Sequence, residues 1–245
     1  MPFLLLQLSD NHLSADAEAS YRDENADANL KRLLPACRLL KPDGVVLTGD
    51  VSEDGSIESY QRVPVLLEGL SERVAWIPGN HDERERMSAV FGPAGYTEGP
   101  RLEWGGWQIL LLDSARPDRP EGHLDERRLA PLDQVVPDQP ALVFVHHQPL
   151  PVDSPWIDKY PLTEPENLWK RLDSDTVRAI GFGHVHQAFK AEKNGITCLS
   201  APSTAANGQP GMEKFTPDPT GPKARWYRLH EDGRWQTGLV SVGMG

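Results

Sequence analysis

The chain has 245 residues, a formal net charge of −11 and two cysteines. That length suits one or two domains with a core that needs no staples. Cys37 and Cys198 stand far apart and outside any CxxC pair, so the reading excludes a disulfide framework and a zinc–thiolate site and suits a reducing cytoplasm. The acidic balance repels polyanions and argues against long nucleic acid as a partner, while a small anion drawn to local cations stays compatible. Phe3-Leu4-Leu5-Leu6 lacks the positive flank of a secretory signal, and no apolar stretch approaches the roughly 18 residues of a membrane span, so a soluble cytoplasmic protein is expected.

In chain order, Phe3 to Leu8 reads as a buried strand. From about Asp23 to Leu40, apolar residues recur at helical spacing at Leu30, Leu33, Leu34, Cys37 and Leu40. Pro42-Asp43-Gly44 is a turn before a second buried strand, Val45-Val46-Leu47. Ile57 to Leu70 reads as a helix that Pro64 must kink or split, and Val74 to Ile77 as a third strand. This β-α-β-α-β alternation predicts a parallel or mixed sheet with covering helices. Trp107 to Leu112 and Leu142 to Val145 are apolar runs on either side of a short helix over Asp125 to Leu132, broken at Pro131. Val177 to Phe182 leads into a Gly-His-Val-His loop. Asn194-Gly195 and Asp232-Gly233 mark two hairpins, 189–193 with 196–199 and 226–231 with 234–240, and both dipeptides suit two-residue turns because they tolerate positive φ. Residues 201 to 223, rich in Pro, Gly, Ser, Thr and Asn, read as a long functional loop.

Five motifs carry the chemistry: Asp10-Asn11-His12, Gly49-Asp50, Gly79-Asn80-His81-Asp82, His146-His147 and Gly183-His184-Val185-His186. Each follows a candidate strand, and in α/β sheets ligands gather beyond the carboxyl ends of strands. All offer oxygen or imidazole nitrogen and none offers thiol, which is the donor set of a two-metal hydrolytic site acting on a phosphate ester. Asp10 and His12 are two apart, which lets both side chains approach one ion. Gly49 lets the backbone come close beside Asp50. Asn80 is neutral, so two divalent ions keep a positive surplus that attracts a phosphate anion.

This ordered set resembles the calcineurin-like metallophosphoesterase superfamily over residues 3 to about 200. The resemblance implies an α/β fold, a four-layer α/β/β/α sandwich of two mixed sheets, as a single domain over 1–245. Residues 201–245 would complete the second sheet and the substrate pocket. It implies one metal on Asp10, His12, Asp50 and His186 and another on Asp50, Asn80, His146 and His184, with Asp50 bridging. His146 rather than His147 is taken as the ligand, since in relatives with His-His-x-Pro the first histidine binds. His81 is implied as the catalytic histidine, with His12, Asn80 and His186 also on the substrate side. Iron or manganese suits such sites best, with zinc, cobalt or magnesium as further candidates.

Within the superfamily the chain is more similar to the bacterial class III cyclic nucleotide phosphodiesterases. The similar stretches are Trp107–Ser114, His147–Pro151 followed by Trp156 and Asp158, His184–Gln187, Ala201–Thr204 and Lys214–Thr216. Asn11, the 51–54 segment and 207–212 depart from that pattern, and the last weakens a claim on adenine. The resemblance implies hydrolysis of 3′,5′-cyclic AMP to 5′-AMP, with His81 giving a proton to the leaving 3′ oxygen. The alternatives are a broader phosphodiesterase of the glycerophosphodiester type and, remotely, a non-catalytic scaffold. A DNA nuclease would want a basic face. A small-molecule substrate, no membrane, and a monomer or homodimer complete the expectation.

Among the remaining residues, His147 is expected beside the ligands or substrate, His123 in surface packing, and His230 in solvent near its turn. Asp113 and Ser114 are expected to hydrogen-bond in support. Trp156 suits either a nucleotide pocket or packing on its own domain, and the acidic run Asp16 to Asp27 a solvated loop and helix start.

Overall fold

The computed structural model describes residues 1–242. In chain order the first half holds β1 (Phe3–Leu8), β2 (Ser20–Tyr21), β3 (Glu24–Asn25), α1 (Ala26–Leu40), β4 (Gly44–Thr48), α2 (Ile57–Leu66), β5 (Val74–Ile77), α3 (Arg84–Phe91), β6 (Thr97–Glu98), β7 (Arg101–Trp104) and β8 (Trp107–Leu112). The second half holds β9 (Gly122–His123), α4 (Glu126–Leu129) running into a 3₁₀ turn (Ala130–Gln134), β10 (Ala141–Val145), β11 (Leu162–Thr163), α5 (Pro165–Trp169), β12 (Val177–Phe182), β13 (Phe189–Lys193), β14 (Ile196–Ser200), β15 (Lys223–Leu229) and β16 (Trp235–Ser241). Among the described residues these build two six-stranded mixed sheets, ordered β16-β15-β1-β4-β5-β6 and β13-β14-β12-β10-β8-β7.

Alternate residues of the central strands explain the layers. Leu5, Val46 and Ala75 of the first sheet meet Ile109, Leu111, Leu142, Phe144 and Ala179 of the second in one cluster between the sheets. The intervening Leu6, Leu8, Val45 and Leu47 pack under α1, α2 and α3. Leu110, Leu112, Val143 and Val145 do the same with Leu129 of α4 and Leu168 of α5. Strands buried on both faces read as unbroken apolar runs, which is why they were legible. Gln7 is a buried polar residue on the face between the sheets. Its amide nitrogen donates to Thr48 Oγ1 at 2.9 Å and the Phe182 carbonyl at 3.1 Å, while its oxygen accepts from Tyr227 O–H at 2.7 Å. The four-layer sandwich expected from the resemblance is the observed fold.

Several local expectations need correction. The C-terminal hairpin does not complete the second sheet: β15 pairs antiparallel with β1 and so extends the first sheet. The 201–222 segment carries the chain from β14 across to the edge of β1 that β4 leaves open. Residues 243–245 lie outside the described residues. The helix at Pro64 runs through it and ends at Leu66, where Leu67 N–H still reaches the Val63 carbonyl at 2.9 Å. The last residues to Leu70 are turns, consistent with a proline that offers no N–H. Asn194-Gly195 is a two-residue turn with φ of 54° and 77°. The 232–233 turn is longer, because His230 and Arg234 close it at 2.9 Å around residues 231–233, with Gly233 alone at positive φ, 82°. The acidic run is not simply solvated: it holds the β2–β3 ribbon, and Asp27 is buried against Arg62 Nε at 3.1 Å.

Cys37 and Cys198 are buried, and burial pushes both thiols up to about 12. A thiol reagent at neutral pH is expected to label neither in the native protein and both in denaturant, read by mass, because the thiolate is the reactive form. Native labelling of either would contradict this burial.

Candidate metal centre

The carboxyl ends of β1, β4, β5, β10 and β12 deliver Asp10, Asp50, Asn80, His146 and His184 to one crevice, as the order of motifs predicted. Backbone bonds tie the loops together: Asp10 N–H to Gly49 O at 3.0 Å, His12 N–H to Asp50 O at 2.9 Å and Gly183 N–H to His146 O at 3.0 Å. Gly49, at φ 92°, is required, because a Cβ there would press on the His146 ring and the Gly79 backbone. Gly183 faces Ser9 Oγ and the Asp10 carboxylate just as closely.

Asp10, His12, Asp50, His184 and His186 all adopt left-handed backbone, with φ of 53°, 45°, 48°, 68° and 49°. Non-glycine residues seldom sit there, at a cost of about 1–3 kcal/mol each, and such strain collects at functional sites. Here it turns five side chains inward from tight loops.

The polar atoms converge. His186 Nε2 lies 3.3 Å from Asp10 Oδ1 and 3.1 Å from His12 Nε2. His12 Nε2 lies 3.8 Å from Asp50 Oδ2, and His146 Nε2 lies 3.4 Å from that same oxygen and 3.3 Å from Asn80 Oδ1. Asp10, His12 and His186, and likewise Asp10, Asp50 and His146, bring ligand atoms within 4.8 Å of one another.

Each of these histidines is pinned from behind. His146 Nδ1 bonds the Thr48 carbonyl at 2.7 Å, His186 Nδ1 the Ala206 carbonyl at 2.8 Å, and His184 Nε2 the Tyr160 carbonyl at 3.0 Å. His12 Nδ1 meets the Glu53 carboxylate at 2.7 Å. A carbonyl or carboxylate can only accept, so the pinned nitrogen carries the proton and the other keeps its lone pair, the arrangement of imidazoles that hold metals. His147 differs. Its Nε2 faces the Pro120 carbonyl at 3.2 Å and its Nδ1 faces Ser114 Oγ at 2.8 Å, so both nitrogens are engaged. It lies beside His146 and His184, and the three bring ligand atoms within 4.8 Å of one another.

Burial alone would raise the Asp10 and Asp50 carboxyls, but His186 beside Asp10 and His146 beside Asp50 reverse the direction and hold both ionised. Burial lowers the His184 imidazole to about 3, with His146 adding to it. His81 is half exposed over the crevice. Burial pulls its imidazole down, yet Asp50 and Glu53 outweigh that and carry it above its ordinary value. Its Nδ1 lies 3.3 Å from Glu53 Oε2, and its backbone N–H donates to Asp50 Oδ1 at 2.9 Å.

Several supports were not read from the sequence. Asp82 accepts from the Gly79, Ser52 and Val51 N–H groups at 2.9, 2.9 and 3.1 Å and staples the Asp50 and Asn80 loops. Its place in Gly-Asn-His-Asp was its one signal. Glu53 joins His12 to His81. Tyr21 stacks on His12 with ring centroids 4.0 Å apart and planes at 9°. His123 lies apart, on Thr163 Oγ1 at 3.1 Å, and His230 serves its turn. Asp113 pairs with Arg128 at 3.7 Å, outside the crevice. Asn11 is buried and donates to Thr204 Oγ1 at 2.7 Å.

The model of the family described as calcineurin-like phosphoesterase matches residues 3–188. The chain is 36% identical over 250 residues to the 3′,5′-cyclic adenosine monophosphate phosphodiesterase CpdA of Pseudomonas aeruginosa, across 98% of this chain and 90% of that protein. It is 33% identical over 240 residues to the CpdA of Escherichia coli K12, across 95% and 87%. A 3′,5′-cyclic-nucleotide phosphodiesterase of Nostoc sp. is 30% identical over 248 residues, across 99% and 93%. Among solved structures, a dimetal phosphatase from Danio rerio superposes with a TM-score of 0.69 at 16% identity, over 99% of this chain and all of that one, a likeness of fold. The donor set and its spacing fit two metal ions. A family match from the first strand through the Gly-His-Val-His loop, with relatives aligned along nearly the whole chain, places this protein in the calcineurin-like phosphoesterase family.

Proposed function

We propose that the protein hydrolyses 3′,5′-cyclic AMP to 5′-AMP at a two-metal centre. One observation carries the reading: His12, His146, His184 and His186 are each pinned at one nitrogen, and the free nitrogens of His12, His146 and His186 face the Asp10 and Asp50 carboxylates. In this reading Asp10, His12, Asp50 and His186 hold one ion, Asp50, Asn80, His146 and His184 hold the other, and Asp50 is shared. Iron or manganese is the favoured occupant of such oxygen and imidazole donors, with zinc, cobalt and magnesium next. When bound, such ions supply a water acidified to near-neutral pKa and Lewis-acid contacts to phosphoryl oxygens.

The chain's own groups do the rest. Asp10 and Asp50 bring two negative charges and Asn80 none, so the centre keeps a positive surplus for an anionic diester. His81 turns Nδ1 toward Glu53, which leaves Nε2 to pass a proton to the departing 3′ oxygen. An alkoxide leaves poorly, and such assistance is typically worth ~10²–10⁴-fold. His12 and His186 line the same hollow with His81 and Asn80 and flank the substrate. The names of the relatives support cyclic AMP as the diester.

The hollow measures about 180 Å³, below the ~300 Å³ where small-molecule sites begin. That favours a smaller diester, such as a glycerophosphodiester, as the second reading. The deciding experiment compares cyclic AMP, a glycerophosphodiester and an aryl diester on manganese- or iron-loaded protein. Release of 5′-AMP with the highest kcat/KM supports the first reading. Preference for the other diesters would keep the centre and reassign the pocket.

A further inference from the structure

Arg22 stands at the mouth of the crevice. Its guanidinium carbon is 4.0 Å from the ring centroid of Phe215, 5.3 Å from that of Trp156 and 5.4 Å from that of Tyr21. Phe215 and Trp156 meet edge to face at 5.3 Å, and the Trp156 ring lies 6.3 Å from that of His186. The ribbon that presents Arg22 turns through Arg22 and Asp23 at φ of 50° and 67°, with no glycine to ease it. The Arg22 Nε–H donates to Tyr21 O–H at 2.9 Å, and Tyr21 in turn lies flat on His12.

Arg22 also separates two spaces. It lines the 180 Å³ hollow over the histidines and a second hollow of about 20 Å³ bounded by Asn207 and Phe215. Among the described residues, Arg22 is the one that lines both. The Trp156 indole N–H is buried without a hydrogen-bond partner among the described residues. A buried donor of this kind ordinarily has one.

A guanidinium and a purine are both flat and both settle on aromatic faces. We propose that the Trp156–Phe215 pair is the seat of a purine nucleotide's base, and that the Arg22 guanidinium keeps this seat until the base displaces it. The inference rests on the phosphodiesterase reading above and names where its substrate's base goes. A phosphate at the metal-ligand cluster would leave the base to extend toward these rings, since the hollow runs from His12 and His186 to Trp156. Arg22 then acts on specificity: a diester with no flat group lacks the means to take its place.

The test is calorimetric binding of 5′-AMP and of ribose 5-phosphate, which shares the phosphate and sugar but has no base, to manganese-loaded protein. Unaltered protein is expected to bind 5′-AMP more tightly. Phe215→Leu is expected to weaken 5′-AMP by about tenfold and to leave ribose 5-phosphate within about twofold, as for loss of one base–aromatic stack. Arg22→Ala is expected to tighten 5′-AMP severalfold with no change for ribose 5-phosphate. Equal binding of the two ligands by unaltered protein, or weakening of both together by Arg22→Ala, would overturn the proposal, the latter by making Arg22 a phosphate contact. Cyclic AMP turnover measured on the same preparation separates the two readings. No turnover with 5′-AMP still preferred would remove the reaction and keep the seat.

Discussion

Asp50→Ala is expected to lose both metal ions together and to lower phosphodiester turnover by about 10³-fold or more, since the Lewis-acid contribution of such ions is several kcal/mol and each 1.36 kcal/mol is tenfold. The reason is geometric. Asp50 Oδ2 lies 3.8 Å from His12 Nε2 on one side and 3.4 Å from His146 Nε2 on the other, so its carboxylate stands between the two proposed ligand sets. Each set would keep three donors without it, but the two ions would face one another with one carboxylate, Asp10, in place of two. His146 Nε2 would also lose the carboxylate oxygen that lies 3.4 Å from it. Metal content per chain by elemental analysis reads the result. Asp50→Asn keeps the shape of the side chain and guards against a trivial loss of fold, and the melting curve of each variant checks this. Two ions retained at full occupancy in both variants would end the bridging assignment.

His81→Ala is expected to keep both ions and still cut kcat on cyclic AMP by about 10²–10⁴-fold, the usual worth of a positioned acid. His81 meets Glu53 at 3.3 Å and is not part of the Asp10–Asp50 convergence, so its removal leaves the proposed ligands in place. Its imidazole is pulled down by burial but carried above its ordinary value by Asp50 and Glu53, which favours the protonated form that an acid requires. A diester with a good leaving group, such as a nitrophenolate, needs no such proton and should lose much less. Equal losses on both substrates would assign His81 to binding, and no loss on either would remove it from the reaction.

How far the site could be read in advance differed by residue. Asp10, His12, Asp50, Asn80, His146, His184 and His186 were legible because each follows a strand whose two buried faces leave an unbroken apolar run, so the crevice could be placed at the strand ends. The partners that pin the imidazoles were not. The Thr48, Tyr160 and Ala206 acceptors are backbone carbonyls, which every residue carries. Glu53 lay in a segment noted only for departing from its relatives, and Tyr21 in a run noted only for its acidity. Helix α3 was missed because Met87 and Phe91 are the two buried positions it offers, too few to show a period.

By itself the chain's order of residues determined the alternating strands and helices, the two-residue Asn194-Gly195 turn and the donor set of the crevice, because these depend on local spacing and chemistry. Only the tertiary structure decided which sheet receives the C-terminal hairpin, which nitrogen of each histidine is free, and that Arg22 stands on Phe215 some 190 residues away. Those outcomes rest on contacts between distant segments, where an open strand edge, a carbonyl or an aromatic face acts through its position in space, which no local pattern encodes.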